Sequence, residues 1–238
     1  MARVAVITGS ESGIGRAIAV VLAEAGFDIG ITAHADLSKA EKTAEGVRAA
    51  GRRAEIGALD PTALPGAARV VDELADALGG LDVLVTCAGT GIGTPAADTA
   101  DKDWRQVFTG GPFICVQRAV HRMIAGGRGG RIITITGVPS PRAHHTADGG
   151  LGLLTTVMAQ ELGAHDITVN SVAPGEDQDP HGIPLGRPGG AREVAAVVAT
   201  LAGPAGSYVT GASWTVDGGR QLMGPHAGSH LNGDDRRS

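Results

Sequence analysis

The chain is 238 residues long, 42% hydrophobic and 19% charged, with a formal net charge of −5; that is enough apolar content for one large α/β domain, and no linker-like break in composition divides it. The acidic balance and the lack of a basic cluster interleaved with aromatics exclude a nucleic-acid groove, and no apolar run approaches the ~20 residues of a membrane-spanning helix. Two cysteines, Cys87 and Cys115, and an opening without a charged-then-apolar signal pattern imply a reducing cytoplasm.

The chain opens on Val4-Ala5-Val6-Ile7, an apolar run of strand length. Thr8-Gly9-Ser10-Glu11-Ser12-Gly13-Ile14-Gly15 follows at once, and an apolar-periodic stretch through Ala25 predicts a helix. Strand, glycine turn and helix in that order form a cradle for a diphosphate. Gly9, Gly13 and Gly15 let backbone amides approach phosphate oxygens, while the helix start around Ser12, Gly13 and Ile14 offers free N–H groups and the positive end of a dipole. A hydroxyl contact from Ser10 adds to the cradle. The expectation is a dinucleotide site.

Further strand-like runs lie at Asp28–Thr32, Ala54–Leu59, Val83–Thr86, Arg131–Ile135, Thr168–Val172 and Ser213–Val216, separated by helix-length stretches. Alternating strands and helices of this kind predict parallel strands joined by right-handed crossovers. The expected fold is a single-domain, Rossmann-like, doubly wound α/β sheet of about seven strands with helices on both faces. We place the domain at 1–220 and a tail at 221–238. In the tail, His226 and His230 are interrupted by glycine and have no evident third ligand, so no metal site is expected.

Three further segments fall in a known order. Thr86-Cys87-Ala88-Gly89 follows the fourth strand, Val169-Asn170-Ser171-Val172-Ala173-Pro174-Gly175 covers the sixth, and Val216-Asp217-Gly218-Gly219 ends the last. With the glycine turn, they make the chain resemble the short-chain dehydrogenase/reductase family from Thr8 to Gly219. The resemblance implies an NAD(P)H-dependent oxidoreductase acting on a small molecule, and a homodimer or homotetramer. It also implies that Asp60 meets the adenine, that Ala88 and Gly89 pass beside the adenine ribose, and that Pro174 and Gly175 wall the nicotinamide. Cys87 reads as a small packing residue rather than a nucleophile.

Cofactor choice turns on the end of the second strand, where NAD-selective proteins place an acid on the ribose hydroxyls. Here the chain reads Ile31-Thr32-Ala33-His34-Ala35. With Ala33 at the acid position and His34 where relatives carry Arg, NADP(H) is favoured over NAD(H), although an imidazole is a poorer phosphate partner than a guanidinium.

The catalytic half departs from the family, whose members use a Tyr to protonate the carbonyl oxygen, a Lys to lower the Tyr pKa, a Ser to polarise the carbonyl and an Asn in the proton relay. By local register, Ile132-Ile133-Thr134-Ile135-Thr136-Gly137 puts Gly137 at the Ser position. Gly149-Gly150-Leu151-Gly152-Leu153-Leu154 matches the run after the Lys, which puts Asp148 at the Lys position and His144 at the Tyr position. The stretch between Gly137 and His144 is trimmed, so His145 is an alternative to His144. The segment Val107–Phe113 is also short, and the helix Asn has no counterpart.

After Gly175 the chain passes through Glu176-Asp177-Gln178-Asp179-Pro180-His181-Gly182 almost directly to Ile183, a short lid that suits a bulky substrate. Hydride addition to a ketone leaves an alkoxide, and losing the general acid forfeits roughly 10²–10⁴-fold in rate. An iminium carbon needs no such proton. The expected function is therefore NADPH-dependent hydride transfer to an iminium or hemiaminal carbon, with His144 assisting departure of the hydroxyl and Asp148 or Glu176 stabilising the cation. In this the chain resembles the atypical family members that reduce hemiaminal-bearing tetrahydroisoquinoline antibiotics, which implies self-protection. Two alternatives stand beside it: a ketone reductase with His144 or His145 as acid, and a nucleotide-binding pseudoenzyme or sensor.

Overall fold

The computed structural model describes residues 2–34, 37–60, 63–87, 112–137, 144–175 and 182–222, with backbone alone at 112 and 144–151. Its strands are β1 (Arg3–Thr8), β2 (Phe27–Ala33), β3 (Ala54–Ala58), β4 (Val83–Thr86), β5 (Gly130–Ile135), β6 (Ile167–Pro174) and β7 (Ser213–Val216). They form one sheet in the order β3-β2-β1-β4-β5-β6-β7, and every neighbouring pair is parallel. The expected doubly wound sheet is the observed one.

Between the strands run α1 (Gly13–Glu24), α2 (Leu37–Ala49), α3 (Val70–Leu78), α4 (Pro112–Gly126), α5 (His144–Leu162) and α6 (Ala191–Ala202). Each described strand except β3 and β7 is buried along nearly its whole length, because helices cover both faces. On one face Ile18 and Leu22 of α1, Ala44 and Val47 of α2, and Val198 and Leu201 of α6 pack against Ala5, Ile7, Ile29, Ile31 and Val85. On the other, Val71 and Leu74 of α3, Val116 and Met123 of α4, and Met158 and Leu162 of α5 pack against Val6, Leu84, Ile132 and Val169. Fully burying each large aliphatic side chain contributes roughly 1.5–3 kcal/mol, which fixes the register of the sheet and with it the height at which each strand ends.

The order of the strands reverses at β1, whose neighbours are β2 on one side and β4 on the other. The helices that follow these strands, α1 after β1 and α4 after β4, pack on opposite faces, and the crevice at such a reversal is where open α/β sheets bind ligands. Among the described residues, no helix is long and apolar enough to cross a membrane.

Candidate active site

The glycine turn leaves β1 at this reversal point. Gly9 and Gly13 have φ of 63° and 53°, a left-handed conformation that glycine adopts without steric cost. Gly15 is needed for a different reason: a Cβ there would lie 2.3 Å from the carbonyl oxygen of Gly9. Helix α1 therefore starts in contact with the turn that precedes it. Ser12 caps α1 in an extended conformation without a side-chain capping bond, and no acid occupies the first helical turn. The hydroxyl of Ser12 and the leading N–H groups around Gly13, Ile14 and Gly15 are thus left to an anion. These features fit a dinucleotide diphosphate.

Side chains brace the turn from three directions. The Gly9 N–H donates to Thr32 Oγ1 at 3.1 Å, and the Cys87 N–H donates to Thr8 Oγ1 at 3.1 Å, linking the turn to β2 and β4. Thr43 Oγ1 on α2 donates to the Ser10 carbonyl at 2.9 Å and accepts from Arg16 Nε at 3.1 Å. Arg16 Nη2 reaches the Glu11 carbonyl at 2.5 Å and the Lys39 carbonyl at 3.3 Å. Thr32, Thr43 and Arg16 were not singled out in the sequence, since their role arises from β2 and α2 closing on the turn.

Ser10 requires a correction. Its side chain is fully buried; the hydroxyl donates to the Ile7 carbonyl at 2.8 Å and accepts from the Thr32 N–H at 3.1 Å. It holds the turn against β1 and β2, and is not turned outward as a cofactor contact. The exit from β1 brings the Ile7 carbonyl and the Thr32 N–H beside the turn, and the serine hydroxyl bonds to both.

His34 and Asp60 stand at the ends of β2 and β3. The pairing of Ala33 with Ala58 brings them together, with His34 Nε2 3.4 Å from Asp60 Oδ1 and both side chains about half exposed. The imidazole read as a phosphate partner and the carboxylate read as an adenine partner thus face each other.

At the far end of the crevice, Pro174 ends β6 and the Gly175 N–H donates to the Val216 carbonyl at 2.9 Å. A Cβ on Gly175 would come within 2.9 Å of the Asp217 backbone, and one on Gly218 within 2.6 Å of Ile183 Cγ2. Asp217 holds this turn by accepting from the Gly219 and Gln221 N–H groups at 2.8 and 2.7 Å. Both anchors of the short segment between Gly175 and Ile183 therefore rest on neighbouring residues of one turn. Glu176, within that segment, lies outside the described residues, as do Ala88, Gly89, His226 and His230.

Gly137 is half-buried and follows β5 at the carboxyl edge of the sheet, where the Thr136 N–H is fixed to the Val172 carbonyl at 2.9 Å. His144 is the first residue of α5, with His145 next and Asp148 one helical turn further on. Cys87 is packed at the end of β4; burial, with the Glu11 charge adding to it, pushes its thiol up to about 12, far from a thiolate nucleophile.

The family model described as short chain dehydrogenase matches residues 3–178, and one described as enoyl-(acyl carrier protein) reductase matches residues 176–221. The chain belongs to the short-chain dehydrogenase/reductase family. As a member it is an NAD(P)H-dependent oxidoreductase. It is 43% identical to an uncharacterised oxidoreductase of Escherichia coli, over 94% of this chain and 98% of that one. It is 34% identical to an L-2,3-butanediol dehydrogenase of Corynebacterium glutamicum, over 92% and 98%. Among solved structures of the family, the acetoin dehydrogenase of Enterobacter cloacae superposes with a TM-score of 0.88 at 43% identity, covering 94% of this chain and 98% of that one.

Proposed function

We propose that this short-chain dehydrogenase/reductase is a reductase whose hydride acceptor is an iminium carbon, formed from a hemiaminal in a bulky metabolite. The observation that carries the reading is Gly137, a residue without a hydroxyl where β5 opens onto the site. The bound nicotinamide dinucleotide supplies the hydride. An iminium carbon that receives it becomes part of a neutral amine, so no side chain has to deliver a proton to an oxyanion at that moment. The proton requirement falls earlier, when the hemiaminal oxygen departs as water. His144, or His145 beside it, is assigned to that step, and Asp148 or Glu176 to stabilising the resulting cation.

The short return from Gly175 to Ile183, anchored at both ends on the turn at Asp217 and Gly218, supports an open mouth and hence a large, rigid substrate. Reductive removal of a reactive hemiaminal would serve detoxification or self-resistance in an organism that makes such an antibiotic. A homodimer or homotetramer accords with the exposed Leu153 and Val157 on α5 and the exposed Trp214 on β7.

Carbonyl reduction with His144 or His145 as the acid is the second reading, favoured by similarity to proteins named acetoin dehydrogenase and L-2,3-butanediol dehydrogenase. The test pairs two polycyclic substrates, one with a hemiaminal and one with a ketone at the same carbon, and follows NADH or NADPH oxidation at 340 nm. Turnover of the hemiaminal alone is the expected result. Turnover of the ketone at a comparable rate, lost in His144→Ala or His145→Ala, would establish the second reading. Nucleotide binding without oxidation over a broad substrate set would point instead to a pseudoenzyme or sensor.

A further inference from the structure

The glycine turn contains a residue that a phosphate cradle does not call for. Glu11 lies between the inward-facing Ser10 and the capping Ser12, and its Oε2 is buried with no hydrogen-bond partner. A buried carboxylate oxygen left unsatisfied is costly, so the side chain, which is partly exposed as a whole, gains by turning that oxygen toward a donor in the working state. Its place in the fold narrows what that donor is. Glu11 sits at the exit of β1, where the sheet order reverses, and its charge is felt by the Cys87 thiol at the end of β4. The carboxylate thus belongs to the crevice between the two strands.

We propose that Glu11 accepts hydrogen bonds from the adenosine ribose hydroxyls of the dinucleotide and is the residue that selects NAD(H) over NADP(H). Phosphate oxygens bring no protons to a carboxylate at neutral pH; of the groups at that end of a dinucleotide, the ribose hydroxyls and the adenine amino group do. A 2′-phosphate removes one hydroxyl donor and adds about 1.5–2 negative charges of the same sign as Glu11. The discrimination is therefore double, one hydrogen bond lost and one repulsion gained.

This reverses the preference implied by the end of β2. Ala33 supplies no acid there, but the acid has a substitute one loop away, in the turn itself. The cation side of the balance is weak as well. His34 Nε2 faces Asp60 at 3.4 Å, and Arg16 is directed to Thr43 Oγ1 and to the carbonyls of Glu11 and Lys39. A neutral or carboxylate-paired imidazole does not replace the free guanidinium that a 2′-phosphate would want.

The inference rests on the dinucleotide site alone and is independent of which substrate is reduced. Dissociation constants for NADH and NADPH are measured by calorimetry or by nicotinamide fluorescence, without substrate, for the wild type, Glu11→Gln and Glu11→Ser. Thermal unfolding of each apo protein checks that it folds. The wild type is expected to bind NADH more tightly than NADPH by roughly tenfold or more, the scale of one charge-assisted hydrogen bond. Both variants should narrow that ratio, Glu11→Ser the more so, with NADH weakened and NADPH strengthened. ADP-ribose carries the donors without nicotinamide and should show the same loss in the variants. A wild type that prefers NADPH would overturn the proposal, as would an NADH-to-NADPH ratio unchanged in a folded Glu11→Gln. Loss of hemiaminal turnover with the binding ratios intact would count only against the substrate reading.

Discussion

The His34 imidazole and the Asp60 carboxylate, at the ends of adjacent strands, stand 3.4 Å apart and face each other at the edge of the sheet. Neither residue is then free to act on a cofactor independently of the other. His34→Arg should shift binding toward NADPH by roughly tenfold, because a guanidinium keeps its charge at every relevant pH and can hold a carboxylate and a phosphate together. Titration of each protein with NADPH and NADH checks this: the Arg variant should bind NADPH more tightly than the wild type does, with NADH binding little changed.

Gly15→Ala should cost about 2 kcal/mol or more in stability and abolish nucleotide binding. The added methyl would lie 2.3 Å from the Gly9 carbonyl oxygen, so the turn and the first turn of α1 cannot keep their present contact. Urea unfolding and a nucleotide titration of the same sample separate the two effects.

Ser10→Ala tests the inward role of that hydroxyl. Removing it leaves the Thr32 N–H and the Ile7 carbonyl without this partner in the interior, an expected loss of about 1–3 kcal/mol. The loss should be the same with and without bound nucleotide if the hydroxyl never touches the cofactor. A variant of wild-type stability with weakened binding would restore the outward role.

Asp28 governs the acid limb of stability. Burial pushes its carboxyl up, but the hydrogen bonds from Arg53 and the charges of Arg52 and Arg53 outweigh that and hold it below the ordinary range. Its oxygens lie 2.7 Å from Arg52 and 2.9 Å from Arg53. A depressed folded pKa means that the stabilisation is complete above the unfolded carboxyl pKa of about 3.9 and is lost as pH falls through the lower folded value. Asp28→Asn should destabilise by about 2–4 kcal/mol at pH 7, and its disadvantage should shrink on going to pH 2. Chemical denaturation at both pH values reads this directly.

Most of the sheet was legible in the sequence because parallel strands covered on both faces read as unbroken apolar runs. Val83–Thr86 and Ser213–Val216 were placed residue for residue, and β1, β2, β5 and β6 extend the predicted runs by one or two residues at their ends. The third strand stops at Ala58, one residue short, where the Leu59 N–H still reaches the Ala33 carbonyl. The turn after β1 was legible for a local reason, since Gly9 and Gly13 stand where the backbone takes a positive φ, while the side chains that brace it come from β2 and α2.

What the sequence concealed depends on contacts between distant residues. His34 and Asp60 meet only because β2 pairs with β3, and Ser10 turns inward only because Thr32 arrives beside it. Glu11 did carry a signal, an acid inside a turn built for phosphates, but its meaning depends on an oxygen being buried without a partner, which spacing alone does not reveal. The same holds for His144 and Asp148: their interval places them one turn apart on α5, and the chemistry of that turn is decided by the substrate.

The position of β1 between β2 and β4 ties nucleotide affinity to the assembly of the whole sheet. One wall of the crevice comes from a strand ending at Ala33 and the other from a strand ending at Thr86, so the glycine turn, although formed early in the chain, is only half a site until the later strand docks. A fragment that stops before Val83 would carry the motif and still lack the site. When both strands are present, any ligand held in that crevice rewards the joining of the two halves, and stabilises their union by mass action.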